Sequence, residues 1–235
     1  MSAAAALAVG LALAAAPQRL ALPAAGHAAV TVRNFGTKTA DVAVGVSRYR
    51  LDLRGRPVIG GRANVWVRVA RERLSIPARG TAVVQVSAAV PARAAPGDHS
   101  VVVTFTGATV SGGARVVARL GVVVAVRVPG RVVRRLAIAS AAVTRAGPRR
   151  LLAVRVRNAG NVDLWLGRRA VVVRAVRPGS GVVAVWSRGG RRLLARGQTM
   201  FTWGVPSSLA AGPVRFEVVA RAGRVLARGR YHLRL

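Results

Sequence analysis

The chain has 235 residues, 52% of them hydrophobic, which is enough for two sandwich-sized domains with separate cores and excludes disorder for its bulk. It contains no cysteine, so disulfide frameworks and thiolate metal sites are excluded. With 38 Lys and Arg against 6 Asp and Glu, its formal charge of +32 sets up a long-range positive field and leaves few acids for catalysis.

Residues 1–16 are Ala, Leu, Val and Gly without a charged side chain and end in Ala14-Ala15-Ala16 before Pro17, a pattern that predicts a signal peptide. A buried N-terminal helix is the other reading of this segment. Cleavage implies export, with the cell surface or the medium as destination.

From Arg19 onward the pattern is β. Val30 and Val32 alternate with Thr31 and Arg33, Val154 and Val156 with Arg155 and Arg157, and Tyr231, Leu233 and Leu235 with Arg230, His232 and Arg234. Such period-two alternation marks strands with one face on a core. Gly and Pro break these runs at Gly60-Gly61, Pro96-Gly97, Pro129-Gly130, Gly147-Pro148, Pro178-Gly179 and Gly212-Pro213, the turn spacing of a sandwich. Val116 to Val128 is apolar, but it is short, Val-rich and interrupted by Arg119 and Arg127, so it predicts a strand and not a membrane span. No long helix is expected after the leader.

The chain also echoes itself. Arg19-Leu20-Ala21-Leu22 returns as Arg135-Leu136-Ala137-Ile138, and Val30 to Gly36 as Val154 to Gly160, each through Asn-x-Gly. Val90-Pro91 before Gly97 is repeated by Val205-Pro206 before Gly212. These echoes predict two related modules: a leader over 1–16, a first β-sandwich over 17–129 and a second Ig-like sandwich over 130–235. The Asn-x-Gly sites have a structural task, because both residues tolerate positive φ where a strand ends.

Arg19 to Gly97 resembles the peptidoglycan-binding domain of WxL-interacting, Gram-positive surface proteins. The resemblance rests on the Val-x-Val-Arg-Asn-x-Gly strand and turn, Tyr49 to Gly55, Ala63 to Trp66, Leu74 to Pro77 with Gly80, and Val90-Pro91 with Pro96-Gly97. The second module, with Asn158 to Val162, resembles the companion Ig-like domain. The resemblance implies a non-catalytic binding protein whose first module holds peptidoglycan or another anionic wall polymer and whose second holds a protein. Two features depart from that family: the chain stops at Leu235 on a strand, where such proteins continue into a membrane helix, and no Trp is followed by x-Leu.

Lys38 is the sole lysine, which fits a GC-rich coding bias, but that bias does not explain the scarcity of acids. Compositional drift and selection for an anionic setting both remain open. Wall polymers and anionic lipid headgroups suit the guanidinium fork. Membrane association would come only from charge or from an anchor beyond this sequence. Nucleic acid is not expected, since aromatics are 4% of the chain and no recognition helix or finger spacing is present.

The densest candidate binding surface is Tyr49, Arg50, Arg54 and Arg56, followed by Trp66 and Arg68, which combines aromatics with guanidinium groups beside Gly55. Core aromatics flanked by solvated arginines are the alternative. Catalysis is not expected. Asp98 and His99 are neighbours on a predicted strand and would point to opposite faces. No nucleophile elbow, phosphate loop or metalloprotease run occurs, so no catalytic residue, metal ligand or cofactor is assigned. A second functional class is a structural or chaperone-like sandwich that holds extended segments of exported proteins, with exposed strand edges as a means of accepting an added strand.

Overall fold

The computed structural model describes residues 12–62, 66–111, 114–209 and 211–235, and its regular elements are all strands. The chain forms two compact units. Unit 1 runs up to Arg50 and resumes over Ile59–Gly130, while unit 2 takes Leu51–Val58 and Arg131–Leu235. Each is an Ig-like, mainly antiparallel β-sandwich.

Unit 1 contributes, in chain order, β1 (Leu13–Ala16), β2 (Arg19–Pro23), β3 (Ala25–Asn34), β4 (Ala40–Leu51), β5 (Pro57–Arg62), β6 (Val67–Val69), β7 (Arg73–Ile76), β8 (Thr81–Ala89), β9 (Gly97–Ser111) and β10 (Ala114–Val128); the ends of β4 and β5 that meet at the turn group with unit 2. One sheet has the order β1-β3-β8-β6, and the other β2-β10-β9-β4-β5 with β7 on β4. The leader expected over 1–16 falls, for residues 1–11, outside the described residues. Its last four residues are β1, which pairs antiparallel with β3 and buries Leu13.

Unit 2 contributes β11 (Leu136–Ala146), β12 (Arg149–Asn158), β13 (Leu164–Leu166), β14 (Val171–Arg177), β15 (Gly181–Arg188), β16 (Arg191–Leu193), β17 (Gln198–Val205), β18 (Pro213–Ala222) and β19 (Val225–Arg234). Their sheets run β11-β12-β17, β13-β16 and β15-β14-β18-β19.

The alternation read in the sequence becomes the two faces of each sheet. In β3, Val30 and Val32 are fully buried while Thr31 and Arg33 are exposed. They share one core with Val84 and Val86 of β8 and, from the second sheet, Val42, Val103, Phe105, Val122 and Val124. The unit 2 core is built likewise on Leu152, Val154, Val156, Val173, Phe201 and Phe216. Burial of such side chains contributes roughly 1.5–3 kcal/mol each and is the main source of stability in a chain without disulfides.

Asn34 and Asn158 show the repeat in atomic detail. The Asn34 amide nitrogen donates to the carbonyls of Lys38, Ile76 and Pro77, and its oxygen accepts from the Gly36 amide at 2.8 Å. The Asn158 nitrogen donates to Val162, Leu193 and Leu194, and its oxygen accepts from Gly160 at 2.9 Å. Each side chain ties the end of a buried strand to its own turn and to a second loop. The Val-Pro…Gly echo has a backbone cause too: Gly97 and Gly212 have φ of 124° and 125°, a region closed to residues with a Cβ.

Candidate functional site

Strand β10 is paired with β9 along its whole length, from Ala114 opposite Ser111 to Val128 opposite Gly97. On its other side β2 covers only Val123 to Arg127, in parallel register. The first bond of that cover is the Val123 amide donating to the Gln18 carbonyl at 3.0 Å. Backbone groups of alternate residues face opposite sides of a strand, so the odd-numbered residues of β10 present N–H and C=O toward β2. Val117, Arg119 and Gly121 continue that phase beyond the cover, and among the described residues no strand pairs with them on the side away from β9.

The side chains around this edge are sorted by the same alternation. Ala118 and Leu120 point inward, half-buried and packed against the unit 1 core, and Val122 is fully buried. Val117, 54% exposed, lies on the solvent face with Arg119 and Gly121. Arg119 is held over the sheet by Nε donating to the Thr106 hydroxyl at 3.3 Å, and Thr106 is its cross-strand partner on β9. The edge therefore combines a half-buried apolar floor with backbone donors and acceptors that pair with no described strand. Chemically it can accept one more extended segment through main-chain hydrogen bonds, with every second side chain of that segment over Ala118 and Leu120.

The residues singled out from the sequence are distributed differently. Tyr49, half-buried, and Arg50, exposed, lie near the end of β4, whereas Trp66 and the exposed Arg68 belong to β6 and its start in the other sheet. Residues 63–65, part of the stretch that led into Trp66, lie outside the described residues. Trp66 stacks edge-on against His99, with ring centroids 5.0 Å apart. Arg54 and Arg56 group with unit 2, where their backbone amides both donate to the Asp52 carboxylate at 2.8 Å. Those bonds, led by that from Arg56, hold the Asp52 carboxyl below its usual range. The structure thus joins Arg54 to Arg56 and Trp66 to Arg68, and divides the set of six between two units.

Asp98 and His99 diverge as strand neighbours must. Asp98 pairs with Arg127, whose Nη2 lies 3.0 Å from Oδ2, while His99 Nε2 lies 2.8 Å from the Ala95 carbonyl. Among the described residues no group of His, Asp and Glu gathers in a way that could hold a metal. Sequence reading identified β10 as a strand but not as a partly uncovered edge. The signal that was present is the inward series Val116, Ala118, Leu120 and Val122 against outward Arg119 and Gly121; where β2 stops is a matter of long-range pairing.

No described family and no curated protein sequence matches the chain. Solved structures do match its fold. A chain of the CsuC–CsuE chaperone–tip adhesion subunit pre-assembly complex from the archaic chaperone-usher Csu pili of Acinetobacter baumannii superposes with a TM-score of 0.54 at 12% identity, over 94% of this chain and 97% of that one. The class 5 fimbriae chaperone CfaA gives 0.52 at 8% identity, over 94% and 98%. A chain from a chaperone–tip adhesin complex of CFA/I fimbriae biogenesis gives 0.51 at 8%, again over 94% and 98%. These likenesses fix the two-sandwich fold. They also correct the resemblance to WxL-interacting proteins and the peptidoglycan-binding role drawn from it, since the neighbours across nearly the whole chain are fimbrial chaperones. The physical reason is visible in Asn34 and Asn158: the motif that carried the resemblance is spent on internal hydrogen bonds at strand ends, a solution open to many sandwiches.

Proposed function

We propose that this chain is a non-catalytic, exported, chaperone-like protein that holds an extended segment of another exported protein by strand addition to the open edge of β10. The carrying observation is that Val117, Arg119 and Gly121 present edge backbone groups beyond the reach of β2, above the half-buried Ala118 and Leu120. The fold likeness to fimbrial chaperones supports this reading, two of them having been solved in complexes with tip adhesion subunits. The partner is a protein with alternating apolar side chains, and no cofactor takes part. Main-chain hydrogen bonds give affinity in this mode and the apolar floor gives register.

The absence of cysteine makes a clean test possible. A single Val117→Cys variant carrying a fluorophore is titrated with a synthetic peptide of alternating Val and Thr, over a salt series. Saturable binding that changes little with salt is expected, because backbone bonds carry it. Binding that collapses as salt rises, equally for the alternating peptide and for an unpatterned acidic one, would reduce the interaction to bulk charge.

A further inference from the structure

Unit 2 carries a second surface that strand addition does not use. Residues paired across neighbouring strands share a face, so the register of β15-β14-β18-β19 places Val185 beside Arg174, Arg174 beside Glu217, and Glu217 beside Arg230. One pair further along, Val219 stands beside Arg228, and beyond it Arg221 beside Leu226. Arg174, Arg221, Arg228 and Arg230 are all exposed, and with the turn at Arg168-Arg169 they line a shallow concavity of ≈ 820 Å³. Among the described residues Glu217 is the one acid in that lining, and its carboxylate lies 3.4 Å from Arg215.

Apolar side chains share this cationic face. Val185 is 58% exposed, Val182 55% and Leu226 39%, and the register puts all three on the side of the sheet that carries the arginines. Exposed apolar groups interleaved with cations are poorly suited to water. They suit a surface that offers phosphate at one depth and hydrocarbon just below it. We propose that the outer face of the β15-β14-β18-β19 sheet binds an anionic phospholipid bilayer, with the arginines on lipid phosphates and Val182, Val185 and Leu226 at the acyl boundary. Nucleic acid fits less well: among the described residues no aromatic side chain lines the concavity for bases to stack on, and the exposed valines would meet only a solvated backbone.

The test uses the full chain and sedimentation with vesicles of phosphatidylcholine alone, or of phosphatidylcholine and phosphatidylglycerol in equal parts. The chain should pellet with the anionic vesicles and not with the neutral ones. Arg174→Gln/Arg228→Gln/Arg230→Gln should weaken partitioning on the order of 100-fold. Arg145→Gln/Arg149→Gln/Arg157→Gln removes the same charge from exposed positions on β11 and β12 and should weaken it by no more than a few-fold. Val182→Ser/Val185→Ser keeps every charge and should still lose roughly 10-fold, from the lost apolar burial. All substituted side chains are partly or fully solvated, and circular dichroism verifies each fold; the single Arg228→Gln and Arg230→Gln variants replace the triple one if it fails to fold. Equal losses in the two triple variants, an unaffected valine variant, or retention of single-stranded poly(U) in place of vesicles would overturn the proposal.

Discussion

The Gln18 carbonyl accepts the Val123 amide at 3.0 Å, and four residues earlier on the same side of β10 the backbone of Arg119 meets no described strand. One strand thus passes from covered to uncovered edge within four residues. It also separates positions whose backbone groups face outward from those that face β9.

This separation predicts opposite outcomes for two neighbouring prolines. Val117→Pro removes an outward N–H and should abolish binding of the alternating peptide while leaving the thermal midpoint within a few degrees. Ala118→Pro removes a donor to β9 and leaves a carbonyl of that strand unsatisfied, which should cost roughly 1–3 kcal/mol. Thermal melts beside peptide titrations read both effects.

The floor can be tested without touching the backbone. Leu120→Ser, at a half-buried position against the unit 1 core, should weaken peptide binding roughly 10-fold through lost apolar contact. Arg119→Gln on the opposite face should leave it nearly unchanged at moderate salt. Loss of binding in Arg119→Gln alone would mean that charge, and not the floor, selects the partner.

Asn34 and Asn158 should be equally intolerant of change. Each is almost fully buried and satisfies carbonyls in two loops, so Asn→Ala leaves those carbonyls bare at about 1–3 kcal/mol apiece. Asn→Asp should be at least as damaging, because a carboxylate cannot donate. Differential scanning calorimetry of Asn34→Ala and Asn158→Ala should show midpoints lowered by roughly 10 °C.

The chain should also lose stability in alkali through Tyr231. Its hydroxyl donates to the Ile138 carbonyl at 3.2 Å, and burial raises its pKa in the folded chain. The unfolded chain therefore releases that proton first. The contribution is fully present below the ordinary tyrosine pKa of about 10 and is lost as pH rises through the higher folded value. Melting midpoints across this range should fall more steeply for the native chain than for Tyr231→Phe.

Much of the fold was legible in the sequence because it is local. Alternating Val and Arg in β3, β12 and β19, and the Asn-x-Gly strand ends, each record what a residue's own strand and turn require. The partial cover of β10 was not legible, since it depends on Gln18 and Arg19 meeting residues more than a hundred positions away. Nor was the grouping of Leu51–Val58 with unit 2, where the Leu53 carbonyl accepts from the Met200 amide and the Thr199 hydroxyl. The wall-binding reading failed for a related reason: turn and core residues specify a sandwich and leave its ligand open.

Amide hydrogen exchange of β10, resolved by residue, reads the open edge itself. In the free chain Val117, Arg119 and Gly121 should exchange quickly, while Val116, Ala118 and Leu120, bonded to β9, exchange slowly. Saturation with the alternating Val/Thr peptide should protect the three odd-numbered amides, with little change elsewhere. Peptide binding that leaves those amides unprotected, or protects another edge such as β15 instead, would rule out strand addition at β10.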